Sequence, residues 1–261
     1  MPAEFQGKIV VISGGSRGIG RGIAAAFARE GAQCVLASSS ADKLAVASKE
    51  IAKLGTEPLA VAGHLREIKA CEQVFSRVSE RFGRCDILVN NAGRTRAGNF
   101  LELPDDAFVD GFALKYFAAV RLTRLFWPLL KASQGHVVNI VGGAARSPEP
   151  EFLVGSSVNA ALANFSKGLS KLGMRDGINV NVIHPGNTAT ERQDELLAQR
   201  AAATGKSVEE LRAAALAKSG VRRIGQVDDV AALALFLCSE RARHIQGTAT
   251  AIDGGATVGY Y

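Results

Sequence analysis

The sequence of 261 residues contains no apolar run long enough to cross a membrane. Its apolar segments, such as residues 8–13 and 136–141, have the length of a β-strand, whereas a membrane-spanning helix needs about 20 apolar residues. The first eight residues also lack the apolar core that is found in signal peptides. These absences predict a cytoplasmic protein with no membrane partner.

Cysteine pairs and blocks of one charge are also missing. Cys34, Cys71, Cys85 and Cys238 lie far apart and form no C-x-x-C motif, which predicts reduced thiols rather than disulfides or a metal site. The 31 Lys and Arg residues exceed the 25 Asp and Glu residues, so the formal charge is +6. These charges are scattered and no aromatic residues are interleaved with them, which predicts no nucleic-acid partner. A small-molecule substrate is expected, and the positive charge favours phosphorylated or CoA-bearing ones.

Seven short apolar segments alternate with amphipathic segments along the whole chain. The predicted strands are residues 9–13, 33–37, 58–62, 86–89, 136–141, 179–183 and 248–252, and the predicted helices are residues 20–30, 41–54, 68–82, 104–131, 154–172 and 227–239. Strands that are rich in Val and Ile and show no polar alternation are buried on both faces of a parallel sheet. The sequence therefore predicts one α/β domain over residues 1–261. Its architecture would be a Rossmann-type, doubly wound, seven-stranded parallel sheet with helices on both faces.

Residues 187–223 interrupt this alternation. The segment is polar, rich in Ala and helix-prone, and it follows the sixth predicted strand. Two interpretations are open, namely a substrate lid and a pair of inert surface helices.

A glycine-rich turn follows the first predicted strand and leads into the first helix. Its spacing, G-x-x-x-G-x-G, lets backbone N–H groups approach a pyrophosphate at the positive end of the helix. The predicted pyrophosphate site consists of Gly14, Ser16, Arg17, Gly18, Ile19 and Gly20.

Further motifs follow in a fixed order along the chain. Residues 86–93 read D-I-L-V-N-N-A-G, residues 139–140 read N-I, residues 185–190 read P-G-N-T-A-T, and residues 252–255 read I-D-G-G. Together with the glycine turn they resemble the short-chain dehydrogenase/reductase family over nearly the whole chain. The resemblance implies a nicotinamide dinucleotide that is also bound by Asn91, Ala92, Gly93, Pro185, Gly186 and Thr188. It further implies a homotetramer formed through helices 104–131 and 154–172 and the C-terminal segment.

The end of the second predicted strand bears on the choice of dinucleotide. Relatives that prefer NAD carry an acidic residue there, which binds the ribose 2′-OH and repels a 2′-phosphate. This chain has Ser39 and Ser40 instead, and Arg17 lies in the glycine turn, so we expect NADP(H) rather than NAD(H). The alternative for Arg17 is a surface residue that caps its helix. His64 and Leu65 follow the third strand, where relatives place Asp or Asn near the adenine.

The residues that carry the family's chemistry are all different in this chain. The resemblance implies a catalytic Asn, Ser, Tyr and Lys, in which Tyr transfers the proton and Lys lowers its pKa. Residues 159–162, N-A-A-L, align with the family's K-A-A-L segment. The positions equivalent to Asn, Ser, Tyr and Lys are therefore Lys115, Gly142, Gly155 and Asn159.

A different alignment does not restore the hydroxyl. A longer interval between Tyr and Lys would place the Tyr position at Phe152, and Tyr116, Tyr260 and Tyr261 fall outside the active-site helix. We therefore predict that the Tyr–Lys mechanism does not operate in this protein.

Three functions remain open, and an NADP(H)-linked oxidoreductase with an atypical mechanism is favoured. Its substrate would be a carbonyl or enoyl compound, including CoA thioesters. Lys115 is the candidate catalytic residue, because its ammonium can polarise a carbonyl oxygen. Ser156 and Ser157 lie just beyond the Tyr position. The alternative roles are a surface lysine for Lys115 and helix capping for the two serines.

The second candidate is a non-redox lyase or hydrolase that uses His184, Glu149 or Glu151 as acid or base. His184 lies at the carboxyl end of a strand, where sheet enzymes place their sites, although a structural role is favoured.

The third candidate is an inactive nucleotide-binding or partner subunit, in which glycines at both the Ser and Tyr positions widen the pocket.

Overall fold

The computed structural model describes residues 4–257 and contains one seven-stranded parallel sheet. The strands are β1 (Ile9–Ser13), β2 (Gln33–Ser38), β3 (Leu59–Ala62), β4 (Ile87–Asn90), β5 (His136–Ile140), β6 (Asn179–Pro185) and β7 (Ala249–Ile252). Their order across the sheet is β3-β2-β1-β4-β5-β6-β7, and every neighbouring pair is parallel. The predicted doubly wound α/β sheet is confirmed.

Nine α-helices lie between and beside these strands in the described residues. They are α1 (Gly18–Arg29), α2 (Ala41–Ala52), α3 (Ile68–Phe82), α4 (Asp105–Gly111), α5 (Ala118–Ala132), α6 (Leu153–Asp176), α7 (Glu191–Thr204), α8 (Val208–Ser219) and α9 (Val227–Leu237). One face of the sheet packs against α1, α2 and α9, and the other packs against α3 and α5. The fully buried strands β1, β4 and β5 need this cover on both faces, because their side chains are apolar on each.

The chain is helical over nearly all of the predicted segment 104–131, but it does not form one regular α-helix there. The chain forms α4, then a π-helical turn over Phe112–Phe117, and then α5. Within that turn the Tyr116 ring lies edge-on to the rings of Phe112 and Phe165, at centroid distances of 6.0 and 5.8 Å. The 3.6-residue periodicity of the sequence contains no signal for such a turn, because it changes the backbone hydrogen bonds and not the apolar pattern. π-turns inside helices are frequent at functional sites.

None of the helices among residues 4–257 combines the length and the apolar character that a bilayer crossing requires. All four cysteines are buried and none forms a disulfide. Burial raises the pKa of the Cys34 thiol to about 12 and that of Cys71 to about 11, so both thiols stay protonated near neutral pH.

A buried network of polar side chains joins the central strands to the helices beside the site. Asn90 donates from Nδ2 to Asn139 Oδ1 at 2.8 Å and to Thr123 Oγ1 at 3.0 Å. Asn139 in turn donates to Ser166 Oγ at 2.7 Å. All four side chains are buried, and burying a polar group without a hydrogen-bond partner would cost stability. The network fixes the ends of β4 and β5 against α5 and α6.

Replacing Asn139 with Ala tests the contribution of this network. The substitution leaves Ser166 without its donor and Asn90 without one acceptor, so we expect the free energy of unfolding to fall by about 1–3 kcal/mol. Urea denaturation measures the change, with Gln73→Ala on the exposed side of α3 as the control. A loss below about 0.5 kcal/mol, the size of an ordinary surface effect, would contradict this role.

Candidate functional site

The carboxyl ends of β1, β4, β5 and β6 open on a cavity of about 430 Å³, here termed the first cavity. Parallel sheets of this kind place ligands at that edge, where the strand order reverses. Of the predicted site residues, the lining contains Gly14, Ser16, Arg17, Gly18, Ile19, Ser39, His64, Leu65, Asn91, Ala92, Gly93, Lys115, Gly142, Pro185 and Gly186. It does not contain Gly20, Ser40 or Thr188.

The glycine turn after β1 is held in place by the end of β4. Asn91 donates from Nδ2 to the carbonyl oxygens of Ser13 and Gly14, at 3.2 and 3.1 Å. Ser13 Oγ accepts from the backbone N–H groups of Asn91 and Ala92, at 3.0 and 3.1 Å. A Cβ on Gly20 would lie 2.3 Å from the Gly14 carbonyl oxygen, so α1 can start this close to the turn only with glycine there. Gly20 therefore has a packing role beneath the cavity.

A carboxylate lies at the N-terminus of α1, where the glycine spacing predicts an anion. The Gly18 N–H donates to Glu191 Oε2 at 3.0 Å, and Arg21 also binds the Glu191 carboxylate. The Arg17 guanidinium forms an ion pair with Glu195 at 2.9 Å, and its side chain makes no capping hydrogen bond to α1. Arg17 occupies the N-cap position of α1, but its side chain does not cap the helix. Both carboxylates belong to α7, and they show that this turn binds an oxyanion.

The other predicted nucleotide-site residues have their own contacts. Ser16 and Ser38 share a hydrogen bond of 2.9 Å at the end of β2. Ser40 caps α2, because its Oγ accepts from the Lys43 N–H at 3.3 Å. Thr188 is buried and donates to the Gly186 carbonyl oxygen at 3.1 Å. Of the two predicted serines, Ser39 lines the first cavity, together with Ser38, and Ser40 does not.

A second cavity of about 700 Å³ adjoins the first. It is lined by Gly93, Arg94, Thr95, Lys115, Gly142, Gly143, Ala144, Ser147, Glu149, Phe152, Asn159, Pro185, Gly186, Asn187, Arg192, Asp253, Ala256 and Thr257. Lys115, Gly142 and Asn159, three of the four positions that the sequence resemblance assigns to the family's catalytic residues, therefore meet here. The Asn159 Oδ1 accepts from the Gly142 N–H at 2.9 Å, so two of these positions bind each other.

The fourth aligned position, Gly155, is covered by Phe152. A Cβ on Gly155 would lie 2.1 Å from Phe152 Cζ and 2.2 Å from Phe152 Cε1. The aromatic ring thus occupies the space that a larger side chain at position 155 would need. Tyr116 packs among aromatic rings away from both cavities, and Tyr260 and Tyr261 lie outside the described residues. No tyrosine hydroxyl of the described residues lines either cavity.

Lys115 lies in the π-helical turn and lines both cavities. Its aliphatic chain crosses Gly93, where a Cβ would lie 2.9 Å from Lys115 Cδ. Burial lowers the pKa of the ammonium to about 8. Its side chain forms no hydrogen bond or ion pair with any residue in the described part of the chain. The surface role considered for Lys115 is therefore wrong, and its charge faces the cavities.

The remaining candidate acids, bases and hydroxyls are less well placed. Ser156 and Ser157 donate to the carbonyl oxygens one turn earlier in α6, at 3.0 and 2.8 Å, so neither hydroxyl faces the cavities. His184 is buried, with Nδ1 2.8 Å from the Val141 carbonyl oxygen, and burial lowers the pKa of its ring. Glu149 lines the second cavity and Glu151 does not. Among residues 4–257 no cluster of His, Cys, Asp and Glu side chains could hold a metal ion.

Sequence reasoning missed the charged residues that surround the site. Arg94 and Arg192 line both cavities, and Glu191 lines the first. Arg94 directly follows the N-N-A-G strand end, so its position beside the site could have been predicted from the sequence. Arg192 and Glu191 lie in the segment 187–223, whose position over the turn is set by tertiary packing. This segment forms α7 and α8, and its first residues complete the wall of the first cavity.

Comparison with known proteins agrees with this geometry. The sequence profile of the enoyl-(acyl carrier protein) reductase family matches residues 14–257. The chain belongs to the short-chain dehydrogenase/reductase family. It is 34% identical over 270 residues to an L-fucose dehydrogenase of Bos taurus, covering all of this chain and 93% of that one. It is 30% identical over 252 residues to a 3-oxoacyl-[acyl-carrier-protein] reductase of Haemophilus influenzae, covering 96% and 98% of the two chains.

Solved structures of family members share the fold over their full length. The L-sorbose reductase of Gluconobacter frateurii, in complex with NADPH and L-sorbose, superimposes with a TM-score of 0.95 at 32% identity and covers 100% of both chains. A 7α-hydroxysteroid dehydrogenase in complex with NADH has a TM-score of 0.88 at 27% identity, covering 97% of this chain and 96% of that one. Both dinucleotides thus occur on this fold.

The contact between Gly155 and Phe152 predicts that Gly155→Ala changes the free energy of unfolding in opposite directions with and without the Phe152 ring. In the wild-type background we expect Gly155→Ala to lower the free energy of unfolding by about 1–3 kcal/mol, because the new methyl group displaces the ring. In the Phe152→Ala background the same change should raise the free energy of unfolding by up to about 1 kcal/mol. Without the ring, the remaining effect is that Ala favours a helix more than Gly does. Urea denaturation of the four proteins gives both values. Equal effects in the two backgrounds would contradict the contact.

Proposed function

We propose that this protein is an NADP(H)-linked oxidoreductase that acts on a carbonyl or enoyl substrate without a Tyr–Lys pair. The observation that carries the proposal is the position of Lys115. Its half-buried side chain lines both cavities and forms no hydrogen bond or ion pair with any residue among 4–257. Family membership and the anion-binding turn support the dinucleotide. CoA thioesters remain within the proposed substrate class.

The turn after β1 fits the phosphates of a dinucleotide. Its Gly18 N–H already holds a carboxylate oxygen of Glu191, so an oxyanion of a pyrophosphate can take the same position. Arg17 and Ser39 would face a 2′-phosphate, and the described end of β2 carries no acidic side chain that would repel one. His64 and Leu65 line the same cavity and are assigned to the adenine. Nucleotide binding requires that Arg17 break its ion pair with Glu195 and pair with the nucleotide instead.

Residues 187–223 are proposed to act as a lid over this site. Glu191 and Glu195 bridge the first turn of α7 to the glycine turn, and Arg192 lines both cavities. Each of these contacts is an ion pair or a hydrogen bond, and none is an apolar core contact. Such contacts are exchangeable with a charged ligand, as a lid requires.

Lys115 is proposed as the catalytic residue. NADP(H), when bound, supplies or accepts the hydride. The Lys115 ammonium can donate a hydrogen bond to the substrate oxygen, where negative charge develops as hydride adds to the carbon. It can also deliver the proton that the oxygen takes up, and it regains one from water. Gly142 lines the second cavity and carries no side chain beyond Cα, so the oxygen can approach Lys115 from that cavity.

The oligomeric state is part of the proposal. Two apolar side chains on the predicted interface helices, Val109 and Phe117, are exposed in the single chain, and Met174, two residues beyond the predicted end of the second helix, is exposed as well. Apolar side chains of this size are often covered in symmetric assemblies. These exposed side chains support the homotetramer that the family resemblance implies.

Calorimetric titration with NADPH, and with NADH as the control nucleotide, tests the cofactor. We expect NADPH to bind at least about tenfold more tightly than NADH, because Arg17 pairs with the 2′-phosphate. Arg17→Gln should remove most of this preference, whereas Arg77→Gln on the exposed side of α3 should leave it unchanged. Failure of both nucleotides to bind would overturn the proposal. A non-redox enzyme or a partner subunit would then be the better description.

The pH dependence of turnover tests Lys115. The ammonium is the active form, and its pKa is lowered to about 8, so kcat/KM should be level below pH 8 and fall as pH rises through that value. Lys115→Arg keeps its charge to high pH, so its profile should stay level through this range. Lys115→Met should lower kcat by about 10²–10³-fold. An unchanged rate in Lys115→Met would dismiss the catalytic role.

A further inference from the structure

Three cationic side chains line the second cavity, and none of them forms an ion pair with a residue that the structure describes. Arg94 and Lys115 form no hydrogen bond with those residues either. Arg192 makes one long hydrogen bond, from Nη2 to the Thr95 carbonyl oxygen at 3.4 Å. Two acidic side chains, Glu149 and Asp253, share the lining, and the Asp253 carboxylate accepts from the backbone N–H groups of Gly255 and Thr257, at 2.9 and 3.0 Å.

The arginines repel one another across this cavity. Burial and the charges of Arg94 and Arg17 lower the pKa of the Arg192 guanidinium, and Glu195 offsets this only weakly. Glu195 is itself paired with Arg17 at 2.9 Å, so its charge is shared. Like charges held together in a partly buried cleft attract a counter-ion of the opposite sign. An anion between Arg94 and Arg192 would therefore relieve the repulsion.

This positive charge extends beyond the groups assigned to the nucleotide. The oxyanion position at Gly18 lines the first cavity and not the second, and the 2′-phosphate is assigned to Arg17 and Ser39. Arg94 and Arg192 line both cavities, and in the second they lie with Lys115, Gly142 and Asn159. The two arginines therefore also border the cavity that the proposed function assigns to the substrate.

We propose that the substrate is an anionic carbonyl compound, whose carboxylate or phosphate group is bound by Arg192 and Arg94 while its carbonyl oxygen faces Lys115. This inference rests on the proposed function and narrows it. The planar guanidinium of Arg192 can bind two oxygens of one oxyanion, which fixes the orientation of a small molecule. A neutral ketone or sugar would leave the half-buried guanidinium of Arg192 without a counter-charge, and it would therefore bind less tightly than an anion.

Calorimetric titrations of the whole protein, with and without NADPH, test the anion site without requiring turnover. The probes are oxamate, its neutral analogue oxamide, and inorganic phosphate. We expect oxamate to bind at least about tenfold more tightly than oxamide, and Arg192→Gln to weaken oxamate by at least about tenfold. Arg192→Lys should retain part of the affinity, and Arg77→Gln, with the same loss of charge outside the cavities, should match the wild type.

The possible outcomes separate this inference from the proposed function. Phosphate binding that replaces oxamate binding, with the same loss in Arg192→Gln, supports the site and assigns a phosphorylated substrate. Equal affinity for oxamate and oxamide, binding of neither anion, or full affinity in Arg192→Gln overturns the anion site. If NADPH binds in those cases, the proposed oxidoreductase stands. If oxamate binds through Arg192 and NADPH does not bind, the anion site stands and the oxidoreductase fails.

Discussion

The hydrogen bonds that Asn91 donates to the carbonyl oxygens of Ser13 and Gly14 hold the first helix against the central strands. They join the turn after β1 to the end of β4, and Gly20 allows α1 to begin against the same carbonyl. These contacts orient the N-terminus of α1 toward the first cavity. The buried network of Asn90 and Asn139 fixes the next strand ends in the same way. The rigid sheet thus presents both the anion-binding turn and the floor of the second cavity.

The two ends of the site differ in how much of the family pattern they keep. The glycine turn, Asn91 and the Pro185-Gly186 segment form one continuous wall around the first cavity. In the second cavity, Asn159 binds the Gly142 N–H and Phe152 covers Gly155, so the aligned positions interact with one another and offer no hydroxyl. Among these four positions, Lys115 is the one that carries a charged donor. A charged donor on a helix can stabilise a developing oxyanion, which is the property that the proposed chemistry needs.

Much of the fold followed from the sequence because buried parallel strands carry a direct signal. Runs of Val and Ile placed all seven strands to within a few residues, and the glycine spacing located the anion-binding turn. The π-helical turn at Lys115 was not predictable, since it changes the hydrogen-bond pattern without changing the apolar periodicity. The contacts of Glu191 and Arg192 were also not predictable. They join segments far apart in the chain, and only the packing of α7 over the turn brings them together.

Transfer of deuterium tests the central claim, that this site moves a hydride without a tyrosine. The protein is mixed with NADPH deuterated at the reactive nicotinamide carbon and with anionic carbonyl and enoyl compounds, and the products are analysed by mass spectrometry. We predict a deuterated product with the wild-type protein, and loss of that product in Lys115→Met while NADPH binding is retained. A product without deuterium would indicate non-redox chemistry, and no product despite bound NADPH would indicate a binding subunit. Either result would contradict the proposed hydride transfer.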